Sequence, residues 1–90
     1  MTNHSTKTTA ILIPCRNEET TIVKVISGFQ SAVPDAKIYV YDNASTDRTA
    51  QLAFEAGAEV VHETTPGKTL YKVLHHIERL DYTLALICNS

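Results

Sequence analysis

Ile38-Tyr39-Val40-Tyr41-Asp42-Asn43-Ala44-Ser45-Thr46-Asp47-Arg48-Thr49 passes from an apolar, β-favouring run into a cluster of small polar residues. Ala50, Gln51, Leu52 and Ala53 then continue as helix formers. The pattern is a strand, a loop and a helix, with the carboxylate of Asp42 at the carboxyl end of the strand. In open α/β sheets ligands bind in the crevice beyond those ends, which is where a nucleotide would sit. Ser45 or Thr46 is placed to cap the helix, and Asp47 puts negative charge in its first turn. The same residues also suit a plain turn and cap, so the rest of the chain has to decide.

Upstream, Thr9 to Ile13 is a short continuous apolar run ending at Pro14, the mark of a buried strand of parallel type. Pro14-Cys15-Arg16-Asn17-Glu18-Glu19 forms a polar loop, and Thr20 or Thr21 lies near the next helix start. Ile22, Val25, Ile26 and Phe29 then fall at i, i+3, i+4 and i+7, one face of a helix. Pro34-Asp35 closes it.

Downstream, a second helix is expected from about Thr46 to Ala56, with Gly57 as its stop. Glu59 to His62 reads as a third strand, and Pro66-Gly67 punctuates the loop after it. Leu70, Val73, Leu74 and Ile77 repeat the helical spacing, and Tyr82 to Cys88 is apolar enough for a fourth strand. The order β-α-β-α-β-α-β predicts right-handed crossovers and a four-stranded parallel sheet covered on both faces, a Rossmann-like three-layer α/β sandwich. The expected strand order is 3-2-1-4. Residues 1–8 read as a flexible start and residues 9–90 as a single unit.

Ninety residues allow one small domain or part of a larger one. With 43% hydrophobic residues, 20% charged residues and a formal net charge of −2, the chain has no electrostatic reason to bind nucleic acid. No run approaches the roughly 18 apolar residues of a membrane span, and Met1 to Thr9 lacks the apolar centre of a signal peptide. Cys15 and Cys88 lie far apart, in keeping with a reduced, cytoplasmic chain.

Several motifs point elsewhere and fall short. Gly67-Lys68-Thr69 looks like the tail of a phosphate-binding P-loop, but His62 stands where the leading glycine belongs. A Gly-x-Gly-x-x-Gly fingerprint is absent, against a dinucleotide dehydrogenase. His75 and His76 are helix neighbours that point apart, and His62 is distant in sequence, so metal-ligand spacing is missing. Cys15 has no local base and reads as a small buried residue.

Three pieces nevertheless line up in order. Ile11 to Glu19 resembles a strand-one motif of apolar residues, Pro, any residue, Tyr or Arg, then Asn-Glu-Glu. Val40 to Thr49 resembles a strand-two motif ending Asp, Asp or Asn, Gly or Ala, Ser, any residue, Asp, any residue, Thr. Gly67-Lys68 resembles the Gly-Lys-Gly that opens the third helix. Together they resemble the amino-terminal half of family 2 glycosyltransferases of the GT-A fold, the dolichyl- and undecaprenyl-phosphate sugar transferases among them.

That resemblance implies a nucleoside diphosphate sugar, UDP- or GDP-linked, as donor, and an acceptor such as a polyprenyl phosphate at the cytoplasmic membrane face. It places Asp42 on the base, where a carboxylate accepts from ring N–H groups. It places Pro14, Arg16, Glu18 and Asn43 around the nucleoside, with Glu18 on the ribose. Val40 would offer its backbone, and Lys68 would neutralise diphosphate or shape its loop.

The family also binds Mg²⁺ or Mn²⁺ through an Asp-x-Asp after strand four, hard oxygen ligands for a hard cation. Aligning Asp81-Tyr82 with the family's Asp-Tyr puts Ile87-Cys88-Asn89 there, and a shift of one gives Cys88-Asn89-Ser90. Neither offers a carboxylate, so no tight metal binding by this chain is expected. The acceptor half is missing, so a truncated, inactive domain is expected, one prone to self-association through an unprotected edge. A non-catalytic nucleotide-binding or interaction module is the alternative.

Overall fold

The computed structural model describes residues 9–65 and 83–85. The elements are β1 (Ala10–Cys15), α1 (Ile22–Ala32), β2 (Lys37–Asn43), α2 (Thr49–Glu55), β3 (Glu59–Glu63) and β4 (Thr83–Ala85). The sheet is parallel throughout: β1 pairs with β2, and β2 with β3. The expected α/β unit with a parallel sheet is therefore what the chain forms. At the far side, Ala10, Ile11 and Leu12 register with Thr83, Leu84 and Ala85. The helix expected around Leu70 to Ile77 lies outside the described residues.

Side-chain alternation sorts the strands onto two faces. Ile11, Ile13 and Cys15 of β1 join Ile38 and Val40 of β2 on the face covered by α1 and α2. Ile22 and Ile26, one turn apart on α1, are fully buried there, with Val25, Phe29 and Val33 packed at the margin. The spacing at i, i+3, i+4 and i+7 thus works as read. Ala53 of α2 is fully buried, as is Thr49 at the start of that helix. Ala10, Leu12 and Tyr41 are buried on the opposite face, beside Tyr39 and Val61. Each such aliphatic side chain contributes about 1.5–3 kcal/mol by leaving water, so the β1–β2–α1 contact dominates the described core.

β1 does not stop at Pro14, as the sequence reading expected, but runs through it to Cys15. The reason lies in which way the ladder faces. Lys37 N–H donates to the Thr9 carbonyl at 2.9 Å, so the odd-numbered residues of β1 bond toward β2. Pro14 is even-numbered and points its missing N–H away from that partner. The proline therefore costs no hydrogen bond with β2.

α2 begins at Thr49 rather than about Thr46. It ends as the sequence suggests, at a Schellman motif. Gly57 N–H donates to Phe54 C=O at 3.0 Å and Ala58 N–H to Ala53 C=O at 3.1 Å. Gly57 has φ +104°, and a Cβ there would sit 3.2 Å from Gln30 Nε2. This turn aims β3 back along the sheet.

Ile26→Val should lower unfolding free energy by about 0.5–1.5 kcal/mol, because Ile26 is fully buried between α1 and the sheet. Val23→Ala, at a position 42% exposed, should change it by less than ~0.5 kcal/mol. Paired urea titrations check the contrast; equal losses would mean α1 packs by a different face.

Candidate functional site

β1, β2 and β3 end side by side, and the registers put Cys15 beside Asp42 and Asp42 beside His62. Each of the first two strands then leaves the sheet through a left-handed residue: Asn17 has φ 53° and Ala44 φ 57°. Asparagine tolerates that conformation, whereas alanine there is strained by roughly 1–2 kcal/mol. Something must hold both loops in place, and it is each other.

Three successive backbone N–H groups of the β1–α1 loop donate to side chains of the β2–α2 loop. Asn17 N–H bonds Ser45 Oγ at 2.9 Å, Glu18 N–H bonds Thr49 Oγ1 at 2.8 Å, and Glu19 N–H bonds Asp47 Oδ2 at 3.3 Å. Two side chains return the bonds. Asn17 Oδ1 accepts from Thr46 N–H at 2.8 Å, and Glu19 Oε1 from Arg48 N–H at 3.0 Å. Asp47 also binds the N–H of Thr49 at 2.9 Å and its hydroxyl.

This clamp revises the reading of the polar loop. Ser45 and Thr46 do not cap α2, whose N-cap is Arg48 without a side-chain cap bond. Asp47 precedes the helix, and the acceptor for Arg48 N–H comes from Glu19 on the other loop. Asn17, Glu19, Ser45, Asp47 and Thr49 build the scaffold, while other motif residues are left over from it.

Those left over are distinctive. Asp42 is only 5% exposed at the end of β2. Its Oδ1, together with Glu18 Oε2 and Asn43 Oδ1, is buried with no hydrogen-bond partner among the described residues. Glu18's other oxygen is held by the Thr21 hydroxyl at 3.0 Å. Asp42 Oδ2 lies 3.7 Å from His62 Nδ1. Buried acceptors normally have donors, and an unmet one costs roughly 1–3 kcal/mol. Acceptors left without donors at the carboxyl edge of a parallel sheet are what a donor-rich ligand would complete.

Of the other residues singled out from sequence, Pro14 is half-buried beside this edge and Arg16 is exposed on the loop. Val40 is fully buried two residues inside β2; by alternation its N–H and C=O point to β3, so it does not join the strand-end group. Lys68 lies outside the described residues, as do Ile87, Cys88, Asn89 and Ser90. Among the described residues no three His, Cys, Asp or Glu side chains converge to hold a metal ion. No helix among them is long and apolar enough to cross a membrane. In the sequence His62 has no metal-ligand spacing and no role at this edge. Counting strand register back from the two loops would have placed it beside Asp42.

The family model for glycosyl transferase family 2 matches residues 10–70. Protein RfbJ of Shigella flexneri is 52% identical over 59 residues, covering 66% of this chain and 46% of that protein. Glycosyltransferase AglJ of Haloferax volcanii is 45% identical over 58 residues, 64% of this chain and 19% of its own length. The chain thus spans less than half the length of these relatives. Among solved structures, glucosyl-3-phosphoglycerate synthase from Mycobacterium tuberculosis, in complex with Mn²⁺, UDP and phosphoglyceric acid, superposes with a TM-score of 0.72 and 26% identity. That match covers 92% of this chain and 33% of that one.

Two measurements test the clamp. Ala44→Gly should raise unfolding free energy by about 0.5–1 kcal/mol by relieving the left-handed alanine, net of glycine's unfolded-state entropy. Asn17→Ala should lower it by about 1–3 kcal/mol through lost acceptor and added strain; a stabilised Asn17→Ala or a destabilised Ala44→Gly would refute the cross-loop account.

The second concerns acid. The Thr49 hydroxyl above all holds the Asp47 carboxyl below its usual range, opposed by burial and helped by the N–H groups of Thr49 and Glu19. A depressed carboxylate stabilises the fold above the ordinary carboxylate range, near pH ~4, and the effect is lost as pH falls through the lowered folded value. Asp47→Asn should therefore flatten the acid limb of a stability–pH curve, and an unchanged limb would contradict the bonding described.

Proposed function

The chain belongs to glycosyl transferase family 2, and on that premise we propose that its sheet edge is the nucleoside side of a nucleoside diphosphate sugar site. The observation that carries this is the set of buried acceptors, Glu18 Oε2, Asp42 Oδ1 and Asn43 Oδ1, that lack donors among the described residues. A uracil or guanine edge supplies ring N–H groups and a ribose supplies hydroxyls, so acceptors of this kind suit either a UDP- or a GDP-linked donor. Asp42 takes the base and Glu18 the ribose, while Pro14, Arg16 and Asn43 shape the pocket. Val40 supports Asp42 from within the strand, and Lys68 serves the diphosphate.

The complete enzyme would pass the sugar to an acceptor such as polyprenyl phosphate at the cytoplasmic face of a membrane. Residues 9–90 are then the donor-binding half of a GT-A domain with strand order 3-2-1-4, a reading supported by the pairing of Ala10–Leu12 with Thr83–Ala85. Positions 87–90 offer no carboxylate for the Mg²⁺ or Mn²⁺ of the complete enzyme, which supports an inactive chain that binds nucleotide without metal.

Titrating UDP and GDP against the native chain and Asp42→Ala tests this. A hydrogen bond to a charged group contributes roughly 1.5–3 kcal/mol, so the variant should lose about tenfold to a hundredfold in affinity. Mg²⁺ or Mn²⁺ should hardly change either titration. Thermal unfolding of the free variant should stay level or rise, because an acceptor without a donor has been removed. Metal-dependent binding, or binding indifferent to Asp42, would overturn the assignment.

A further inference from the structure

β2 and β3 are registered so that Asp42 and His62 stand side by side on the sheet face that α1 and α2 cover. Their side chains meet across very different environments: 7% of the Asp42 side chain is accessible, against 65% of His62. His62 Nδ1 lies 3.7 Å from Asp42 Oδ2, within ion-pair range of a protonated imidazole. The histidine lies on one oxygen of the carboxylate and leaves the other, Oδ1, as the acceptor without a donor. It also lines an open hollow of about 500 Å³ with Gln51 and Phe54 of α2 and Val60 of β3, so the ring is in reach of solvent.

A carboxylate at a strand end can rotate about its terminal torsion, which has broad minima. A buried carboxylate that faces a ligand in one orientation and the protein in another binds more weakly by the fraction of time misdirected. A polar group fixed on one oxygen removes that freedom in advance, as preorganised supporting shells do. We propose that His62 is the positioning residue for Asp42, flanking Oδ2 from the neighbouring strand and so fixing the orientation in which the carboxylate meets a donor on the bound nucleoside. The role rests on the nucleoside-site reading above. It assigns the third strand to a site whose other named residues come from the first two strands, the loops after them, and Lys68.

The test is a double-mutant cycle on nucleotide affinity, with UDP and GDP as probes and the full chain as protein. His62→Ala should weaken binding about threefold to tenfold in the native background, and should weaken it no further once Asp42 is Asn. His62→Asn, whose amide nitrogen stands close to the place of Nδ1, should restore most of the loss. A purely structural effect of His62 would persist in the Asp42→Asn background and would not be rescued. Because His62 is exposed on an edge strand, the variants should fold, and their unfolding midpoints verify it.

If Asp42→Asn weakens binding while His62→Ala leaves it at the native value, the positioning role is overturned and the nucleoside site stands. If the native chain binds neither UDP nor GDP, both fall.

Discussion

Three consecutive backbone N–H groups, those of Asn17, Glu18 and Glu19, have no partner in either strand or helix, and the fold depends on where they go. They are taken by Ser45, Thr49 and Asp47 of the neighbouring loop. Without those acceptors the part-buried N–H of Glu18 would lack a partner, at a cost of roughly 1–3 kcal/mol, and the exposed N–H groups of Asn17 and Glu19 would turn to water. With them, two loops that each pass through a left-handed residue become one rigid rim. The strands supply the hydrophobic core, but the rim decides where the ends of those strands point.

That rim explains why the polar residues of the edge fall into two kinds. Asn17, Glu19, Ser45, Asp47 and Thr49 bond across or within the two loops. Glu18, Asp42 and Asn43 each keep a buried oxygen that nothing among the described residues answers. A sheet edge where all acceptors were met would be a finished surface. Under the proposed nucleoside reading, the N–H and O–H groups of the ligand would meet these oxygens, and a pre-formed rim would leave little ordering to be done on binding.

The fold was largely legible because its signals are strong and local. The apolar run at Ile11 to Ile13 and the spacing of Ile22 and Ile26 leave few alternatives to a strand followed by a helix packed on it. Gly57 marked the end of α2 for a reason the structure supplies, a Schellman turn that needs positive φ. What local patterning could not show were bonds between residues about thirty positions apart. Ser45 and Thr46 look like caps for the helix beside them, since caps are normally local; their partners sit on the other loop, and Asp47 divides its oxygens between Thr49 and the other loop's Glu19. Pro14 looked like a strand end because the sequence does not say which way its absent N–H would face. His62 lacked any motif, and only the register of β2 with β3 gives it a neighbour.

The direction of donation across the rim has an evolutionary corollary. The β1–α1 loop gives mainly main-chain N–H groups, which every residue except proline possesses, whereas the β2–α2 loop must give hydroxyls and a carboxylate. Drift is therefore unequal on the two sides. The first loop can exchange the side chain at Glu18 without dismantling the rim, and so can acquire new ligand preferences. The second loop is bound to Ser45, Asp47 and Thr49 by the donors opposite. One scaffold can thus serve a series of descendants that differ in what they recognise, with innovation confined to the loop whose contribution is written in the backbone.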